Sequence, residues 1–350
     1  MGLMRLFKDT IPLEIEYIPS KIRFREGEVQ RIRSLIELHR SGVRANLLVQ
    51  GPIGCGKSLV AKYLLREHRD LMIYVSCREY DTFKSVLREI LAQTGVTARK
   101  KASASELIDI LVRERSLDGK ILVLDEVDQN IHYRRLVGLS RLPESSNVRF
   151  SLFCITNRLD FEMMLTPREW SAYTPHKLLF RRYTPDEIAE ILLQRIELAK
   201  HPNVVLHDIA DIGAIRLIAH YCYARKESDV RFALLVLKTA IRMADHRVTP
   251  EVAEAAIDEI EINPIREFIQ RESTTTKMIL RELLKGEREA AQLYEAISPP
   301  ESYRNFIRRL HELSVYGLIK VRKLRRKGAP ITVELTKVGR EAIKSIQDDM

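Results

Sequence analysis

Leu47–Ser58 reads LLVQGPIGCGKS, and this stretch decides the fold. The run ANLLVQ (45–50) has the apolar character of a buried strand and breaks at Gly51. Gly51, Gly54, Gly56, Lys57 and Ser58 fit G-x-x-x-x-G-K-[ST], with Pro52, Ile53 and Cys55 filling the loop and Leu59 behind it. In such a loop the glycines let backbone N–H groups close around phosphates, the lysine reaches the outer phosphates and the hydroxyl ligates magnesium. SLVAKYLLREH (58–68) then reads as a helix whose N-terminus faces the anion. A strand before the loop and a helix after it is the setting that this chemistry demands. The expected ligands are ATP or ADP and Mg2+.

Four further apolar runs surround the loop: LMIYVSC (71–77), KILVLDEVD (120–128), RFSLFCITN (149–157) and the shorter HKLLFRRY (176–183). Helical patterns separate them, near 28–41, 81–94 and 103–115. Strands apolar on both faces and alternating with helices imply a mostly parallel sheet covered on both sides, an α/β P-loop domain over residues 1–182. The run at 120–128 ends in carboxylates. Asp125 is expected to hold the magnesium shell with Ser58, and Glu126 to orient an attacking water. Asn157 ends the next strand, either facing the γ-phosphate or forming a turn.

From Thr184 the pattern becomes helical throughout. TPDEIAEILLQRIELAK (184–200) opens on a Thr cap, Pro at the first helical position and early acidic residues. Residues 183–262 form an all-helical lid in this reading. Arg231, in ESDVRFALLVL, either reaches the nucleotide from above or is an ordinary solvent-facing arginine.

Residues 263–350 read as three short helices followed by two strands around RKLRRKGAP (322–330), the pattern of a winged helix-turn-helix. The chain carries a net charge of +10 with pI near 9.4. Eleven Lys and Arg against two Glu between 302 and 340 account for nine of those ten charges. Such clustering is the footprint of a phosphate-bearing partner. In the helix near 302–313, Phe306, Ile307, Leu310 and Leu313 form an apolar face, leaving Arg304, Asn305, Arg308 and His311 for base edges. Arg322, Lys323, Arg325, Arg326 and Lys327 of the wing suit phosphates or a minor groove. A winged helix used for protein contact remains an alternative, because the fold does not fix the function.

Other classes are disfavoured. The four cysteines are widely spaced, without the pattern of a zinc site. No run of about 18 apolar residues occurs, and the first residues lack the apolar core of a signal peptide, so a soluble intracellular protein without a membrane partner is expected.

GPIGCGKS, LVLDEVD, FCITN and SDVRFALLVLKTA resemble the AAA+ superfamily. Over about residues 15–340 the chain resembles the archaeal origin-recognition and cell-division-control type of replication initiator. YIPSKIRFREGEVQRI (17–32) is similar to that family's P-x-x-x-x-x-R-E box, and FRRYTPDEIAEIL (180–192) to its junction into the lid. The resemblance implies that Asn157 is the sensor-1 residue and Arg231 the sensor-2 arginine. It also implies that Arg168, in LTPREW, is offered to a neighbouring copy, and that Tyr17 and Ile18 line the adenine pocket. The helical pair between Cys77 and Arg115, with ARKK at 98–101, matches an inserted DNA-touching element. The sequence departs from the family in KESDV before Arg231, where a glycine is usual, and in TPREWSAY (166–173). By resemblance the partners are duplex origin DNA, other initiator copies and the replicative helicase, the location is cytoplasmic and chromosome-associated, and a weak ATPase serves as a switch. A winged-helix transcription regulator, or a signalling ATPase with a largely structural nucleotide site, remains open as an alternative.

Overall fold

The computed structural model describes residues 3–323 and 330–344. Of the expected wing, Arg325, Arg326 and Lys327 lie outside the described residues, as does the side chain of Lys323. The first half of the chain runs α1 (Glu26–Arg40), β1 (Leu47–Gln50), α2 (Lys57–Glu67), β2 (Met72–Ser76), α3 (Phe83–Gln93), α4 (Ala104–Arg113) and β3 (Lys120–Asp125). It continues through α5 (Tyr133–Gly138), α6 (Leu142–Ser145), β4 (Phe150–Thr156), α7 (Pro167–Tyr173) and β5 (His176–Leu179). The strands form one sheet in the order β2-β3-β4-β1-β5, and every adjacent pair is parallel.

Continuous apolar runs suit this sheet because both of its faces are buried. Along β3, Leu122 and Leu124 point into one core while Ile121 and Val123 point into the other, and β4 divides Leu152 and Cys154 from Phe153 and Ile155 in the same way. Each such side chain contributes about 1.5–3 kcal/mol of burial. The chain leaves β1 for the far edge, returns through β3 and β4, then crosses to β5 on the other side of β1. This reversal opens a crevice at the carboxyl ends of β1, β4 and β3, where parallel sheets bind ligands.

The helical region comprises α8 (Pro185–Ala199), α9 (Leu206–Ile209), α10 (Ile212–Arg225), α11 (Val230–Met243) and α12 (Pro250–Glu261). The cap read at Thr184 is present. Its hydroxyl accepts from Glu187 N, and the Glu187 carboxylate accepts from Thr184 N at 2.9 Å. One difference from the expected division concerns the N-terminus, placed with the α/β domain by residue number. Leu3, Phe7 and Leu13 are buried in the helical core, and Lys8 N and Asp9 N donate to the Ala199 carbonyl. Three apolar side chains on short turns have no place on the sheet faces, which are already filled, and so they cover α8 and α11.

After α13 (Asn263–Arg271) come α14 (Thr274–Leu283), β6 (Arg288–Glu289), α15 (Ala290–Ile297), α16 (Tyr303–Val315), β7 (Ile319–Lys323), β8 (Ile331–Leu335) and α17 (Lys337–Lys344). The three strands pair antiparallel in the order β6-β8-β7 and share a core with α14, α15 and α16. The short strand β6 and the helix α17 were not legible in the sequence. A two-residue strand carries no period, and α17 rests on the close approach of Gly339 to the Leu318 carbonyl, where a Cβ would collide. No helix among the described residues is long and apolar enough to cross a membrane.

Candidate functional site

The glycine loop closes because its glycines are needed twice, for their dihedrals and for the room they leave. Gly54 has φ +73° and Gly56 φ +94°, both in the left-handed region. A Cβ on Gly54 would fall inside the Asp229 carboxylate, and one on Gly56 would lie 2.8 Å from the Tyr183 hydroxyl. The loop is therefore packed beneath the helical region. Gly56 precedes the first turn of α2, whose free N–H groups face the crevice.

A cavity of about 810 Å³ occupies this crevice. Its polar end is lined by Gly54, Gly56, Lys57, Ser58, Asp125, Glu126, Asn157 and Arg231, and its apolar end by Ile15, Ile18, Ile22, Ile191 and Leu234. Ile53 and Leu59 also line it. An anion cradle continuous with an apolar slot is the shape that a phosphorylated, flat ligand requires. Gly51, Pro52 and Cys55 stand behind the lining and act through the Lys57 ammonium. Lys57 Nζ donates to the Gly51 and Pro52 carbonyls, each at 2.7 Å, and to Asn157 Oδ1 at 2.9 Å. Burial lowers the Lys57 pKa, and the Cys55, Asp125 and Asp128 side chains oppose that shift. The Cys55 thiol is pushed up by its own burial.

Asp125 is 3% exposed at the end of β3, and its Oδ1 accepts from Glu126 N at 2.9 Å. Glu126 adopts φ +50°, a strained conformation for a non-glycine residue that turns the chain sharply at the cavity. The Ser58 hydroxyl and the Asp125 carboxylate line the same cavity and are hard oxygen donors, a set that suits Mg2+ held by one or two protein groups together with phosphates. Arg231 projects from α11 to the same place. Its guanidinium grips Asp229 twice, Nε to Oδ1 at 3.0 Å and Nη2 to Oδ2 at 3.1 Å, while Asp229 caps α11 by accepting from Arg231 N at 3.0 Å. Just before it, Glu227 (φ +52°) and Ser228 (φ +66°) are consecutive left-handed residues. This strained corner is where KESDV lacks the usual glycine.

At the other end of the chain, Phe306, Leu310 and Leu313 of α16 are buried and Ile307 packs against them, as its pattern requires. Ser302 caps the helix by accepting from Asn305 N. Arg304, Asn305, Arg308 and His311 are exposed on the opposite side. The charge count overstates what this face can offer. Arg309 is held by Glu301 at 2.8 Å and by Ser273 and Thr276, and Arg322 pairs with Glu334 at 2.6 Å across β7 and β8.

Residues 40–160 match the AAA domain family. The ORC1-type DNA replication protein of Desulfurococcus amylolyticus is 27% identical, with 98% of this chain and 94% of that protein covered. The ORC1-type DNA replication protein 1 of Methanothermobacter thermautotrophicus is 25% identical over 92% of this chain and 90% of that one. The solved Aeropyrum pernix ORC1 protein in complex with DNA is 26% identical, with TM-score 0.71 and 98% and 97% of the two chains covered. The chain is a homologue of the ORC1-type DNA replication proteins. The Cdc6p structure from Pyrobaculum aerophilum, at 17% identity and TM-score 0.66, shares the fold over 98% of both chains.

Two residues assigned by resemblance lie away from the cavity. Tyr17 is not among the lining residues. Its ring lies 5.2 Å from the Arg195 guanidinium, and it is Arg195 that lines the cavity. Arg168 is exposed in the first turn of α7 and is outside the cavity lining. In the α3–α4 pair, Arg88 donates to the Arg99 and Lys100 carbonyls at 2.7 and 2.6 Å, which fixes the turn carrying the exposed Arg99, Lys100 and Lys101.

Sequence reasoning missed Arg25. It is fully buried, donating to the Cys55 carbonyl at 2.9 Å, the Phe24 carbonyl at 2.9 Å and the Arg181 carbonyl at 2.7 Å, and stacking at 3.9 Å on the Tyr183 ring. One guanidinium thus joins the glycine loop to the segment leading into the helical region. The R-E pair at 25–26 was visible, but partners 30 and 156 residues away were not. Arg195 was missed for the same reason, tying α8 to the Pro12 carbonyl at 2.8 Å.

Proposed function

We propose that the protein is an ATP-dependent DNA replication initiator in which nucleotide occupancy controls the grip on duplex DNA. The observation that carries this reading is the composition of the cavity, to which the loop and strand ends contribute from the sheet and Arg231, Ile191 and Leu234 from the helical region. A nucleotide seated there touches both parts at once, so its phosphates bias their relative angle through differential contacts.

In this reading Ile15, Ile18 and Ile22 flank the base, and Lys57 transfers its donors from the loop carbonyls to the outer phosphates. Ser58 and Asp125 hold Mg2+, which neutralises charge on the phosphates. Glu126 orients water, with Asn157 and Arg231 reading the γ-phosphate. Hydrolysis is slow and resets the switch. Arg168 serves a neighbouring copy, since its exposed position leaves it free to cross an interface. The division into a base (1–182), a lid (183–262) and a winged-helix reader (263–350) belongs to the same reading.

The reader would place α16 in the major groove with Arg304, Asn305 and Arg308 toward base edges, while the wing follows phosphates. The Arg99–Lys101 turn is a second contact. Origin duplex, further initiator copies and the replicative helicase are the partners. Binding of labelled origin duplex by fluorescence anisotropy tests this reading. Replacing Arg304 and Arg308 together by Glu is expected to weaken binding at least about 100-fold, and an unchanged affinity would overturn it.

A further inference from the structure

Asp125 is held at both oxygens. While Oδ1 takes the Glu126 N–H, Oδ2 accepts from the Tyr74 hydroxyl. Tyr74 sits on β2, the edge strand, two residues before Ser76, which lies opposite Asp125 in the parallel ladder. The phenol hydroxyl is the donor in this bond, because a carboxylate oxygen only accepts. A carboxylate with one oxygen fixed in this way presents its remaining lone pairs in a set direction.

An edge strand is a poor platform for such a task unless something pairs it. Tyr74 N donates to Gln93 Oε1 at 3.2 Å, and the Tyr74 carbonyl accepts from Gln93 Nε2 at 2.8 Å. The amide of Gln93, the last residue of α3, thus imitates a neighbouring strand at the residue that needs support. Gln93 Nε2 also donates to Glu89 Oε1 at 2.8 Å, which orients the amide. The Lys62 ammonium lies 5.5 Å from the Tyr74 ring centroid, so the ring is held independently of its hydroxyl.

We infer that Tyr74 is a positioning residue that aims the Asp125 carboxylate at the nucleotide-bound magnesium, with Gln93 pinning its backbone. This inference rests on the nucleotide reading above and adds a residue that the strand-end motif does not contain.

The test is the affinity of full-length protein for a fluorescent ATP analogue, measured in EDTA and across a MgCl2 titration. Tyr74→Phe keeps the ring and removes the hydroxyl. Its affinity in EDTA is expected within about twofold of wild type, while the Mg2+ concentration for half-maximal tightening rises about tenfold. Gln93→Ala is expected to shift the same midpoint in the same direction by about threefold, and stands in should Tyr74→Phe not fold. A purely structural role would instead lower Tm and weaken binding in EDTA without moving the Mg2+ midpoint. Wild-type tightening together with an unshifted midpoint in both variants overturns the inference alone. A wild-type protein that shows no Mg2+-dependent tightening overturns the nucleotide reading and this inference with it.

Discussion

The nucleotide cavity and the basic C-terminal face use the same residue types under opposite conditions. Around the cavity Arg25, Lys57 and Arg195 are 0%, 6% and 3% exposed; Arg25 and Arg195 are tied to backbone carbonyls of distant segments, and Lys57 to carbonyls of its own loop and to the Asn157 side chain. On α16, Arg304 and Arg308 stand in solvent, Arg308 reaching Glu312 only at 3.7 Å. A buried cation is strongly committed to its neighbours, because an unpaired charge in the interior is costly. An exposed cation commits almost nothing within the fold and keeps its capacity for an external anion. The cavity cations therefore hold segments of the molecule together, while Arg304 and Arg308 stay available to an external anion.

The largest expected effect breaks the first half of that comparison. Arg25→Ala removes three carbonyl contacts, a ring contact and the partner of Glu28 at 3.3 Å, and should lower stability by about 3–5 kcal/mol, read as a fall in apparent Tm. Arg25→Lys should not restore it, since a compact ammonium lacks the planar fork that reaches the Cys55, Phe24 and Arg181 carbonyls while lying flat on the Tyr183 ring. Arg308→Ala, by contrast, should leave stability within about 0.5 kcal/mol of wild type.

The strained corner before Arg231 gives the next effect, with the opposite sign. Ser228 is 1% exposed with a left-handed backbone and a hydroxyl that has no hydrogen-bond partner among the described residues. Ser228→Gly relieves both and should stabilise the protein by about 1–2 kcal/mol in denaturant unfolding. Destabilisation would show that the hydroxyl has a role in the fold.

Alkaline pH separates the two regions through their thiols. Cys154 and Cys222 are each pushed by burial from 9.0 to about 12, and all four cysteines precede residue 263. Their folded pKa values are raised, so their stabilising contribution is full below pH 9 and is lost as pH rises from 9 toward 12. Each thiol should remove about 1.4 kcal/mol by one pH unit above its unfolded value. Lys57, whose folded pKa is lowered, shifts stability in the opposite direction over its own window. Hydrogen exchange at pH 10 should therefore loosen the sheet and helical region before the C-terminal core.

The smallest effect distinguishes Arg308 from Arg309. Arg308→Ala should reduce the slope of log affinity against log salt by about 1 if it meets a phosphate, or cost about 1–3 kcal/mol at one base position if it reads an edge. Arg309→Ala should lower stability through the loss of Glu301, Ser273 and Thr276, with the salt slope unchanged.

The same contrast explains what was legible in the sequence. The fold brings Lys57, Ser58, Asp125, Asn157 and Arg231 to one cavity; Asn157 and Arg231 were assigned only by resemblance, whereas Lys57, Ser58 and Asp125 could be read because each sits at a fixed place relative to a glycine loop or a strand end. Their chemistry is local in sequence. Arg25, Tyr74, Arg195 and Asp229 were illegible as site residues because each acts through tertiary contacts, Tyr74 with a carboxylate 51 residues on and Asp229 with Gly54. The C-terminal face was legible as charge and as a helical stripe. Which of its arginines are occupied internally was not, because Glu301 and Glu334 count as single acidic residues in any tally of composition.

Control of the C-terminal face by the cavity can be read in a single experiment. Footprinting of origin duplex by wild type and Lys57→Ala, each with ATP and with ADP, reports both regions at once. The wild-type footprint is expected to differ between the two nucleotides and the Lys57→Ala footprint not to, with ATP affinity reduced about 100-fold through the lost charged contacts. A Lys57→Ala protein that keeps both its ATP affinity and the nucleotide dependence of its footprint would contradict such control.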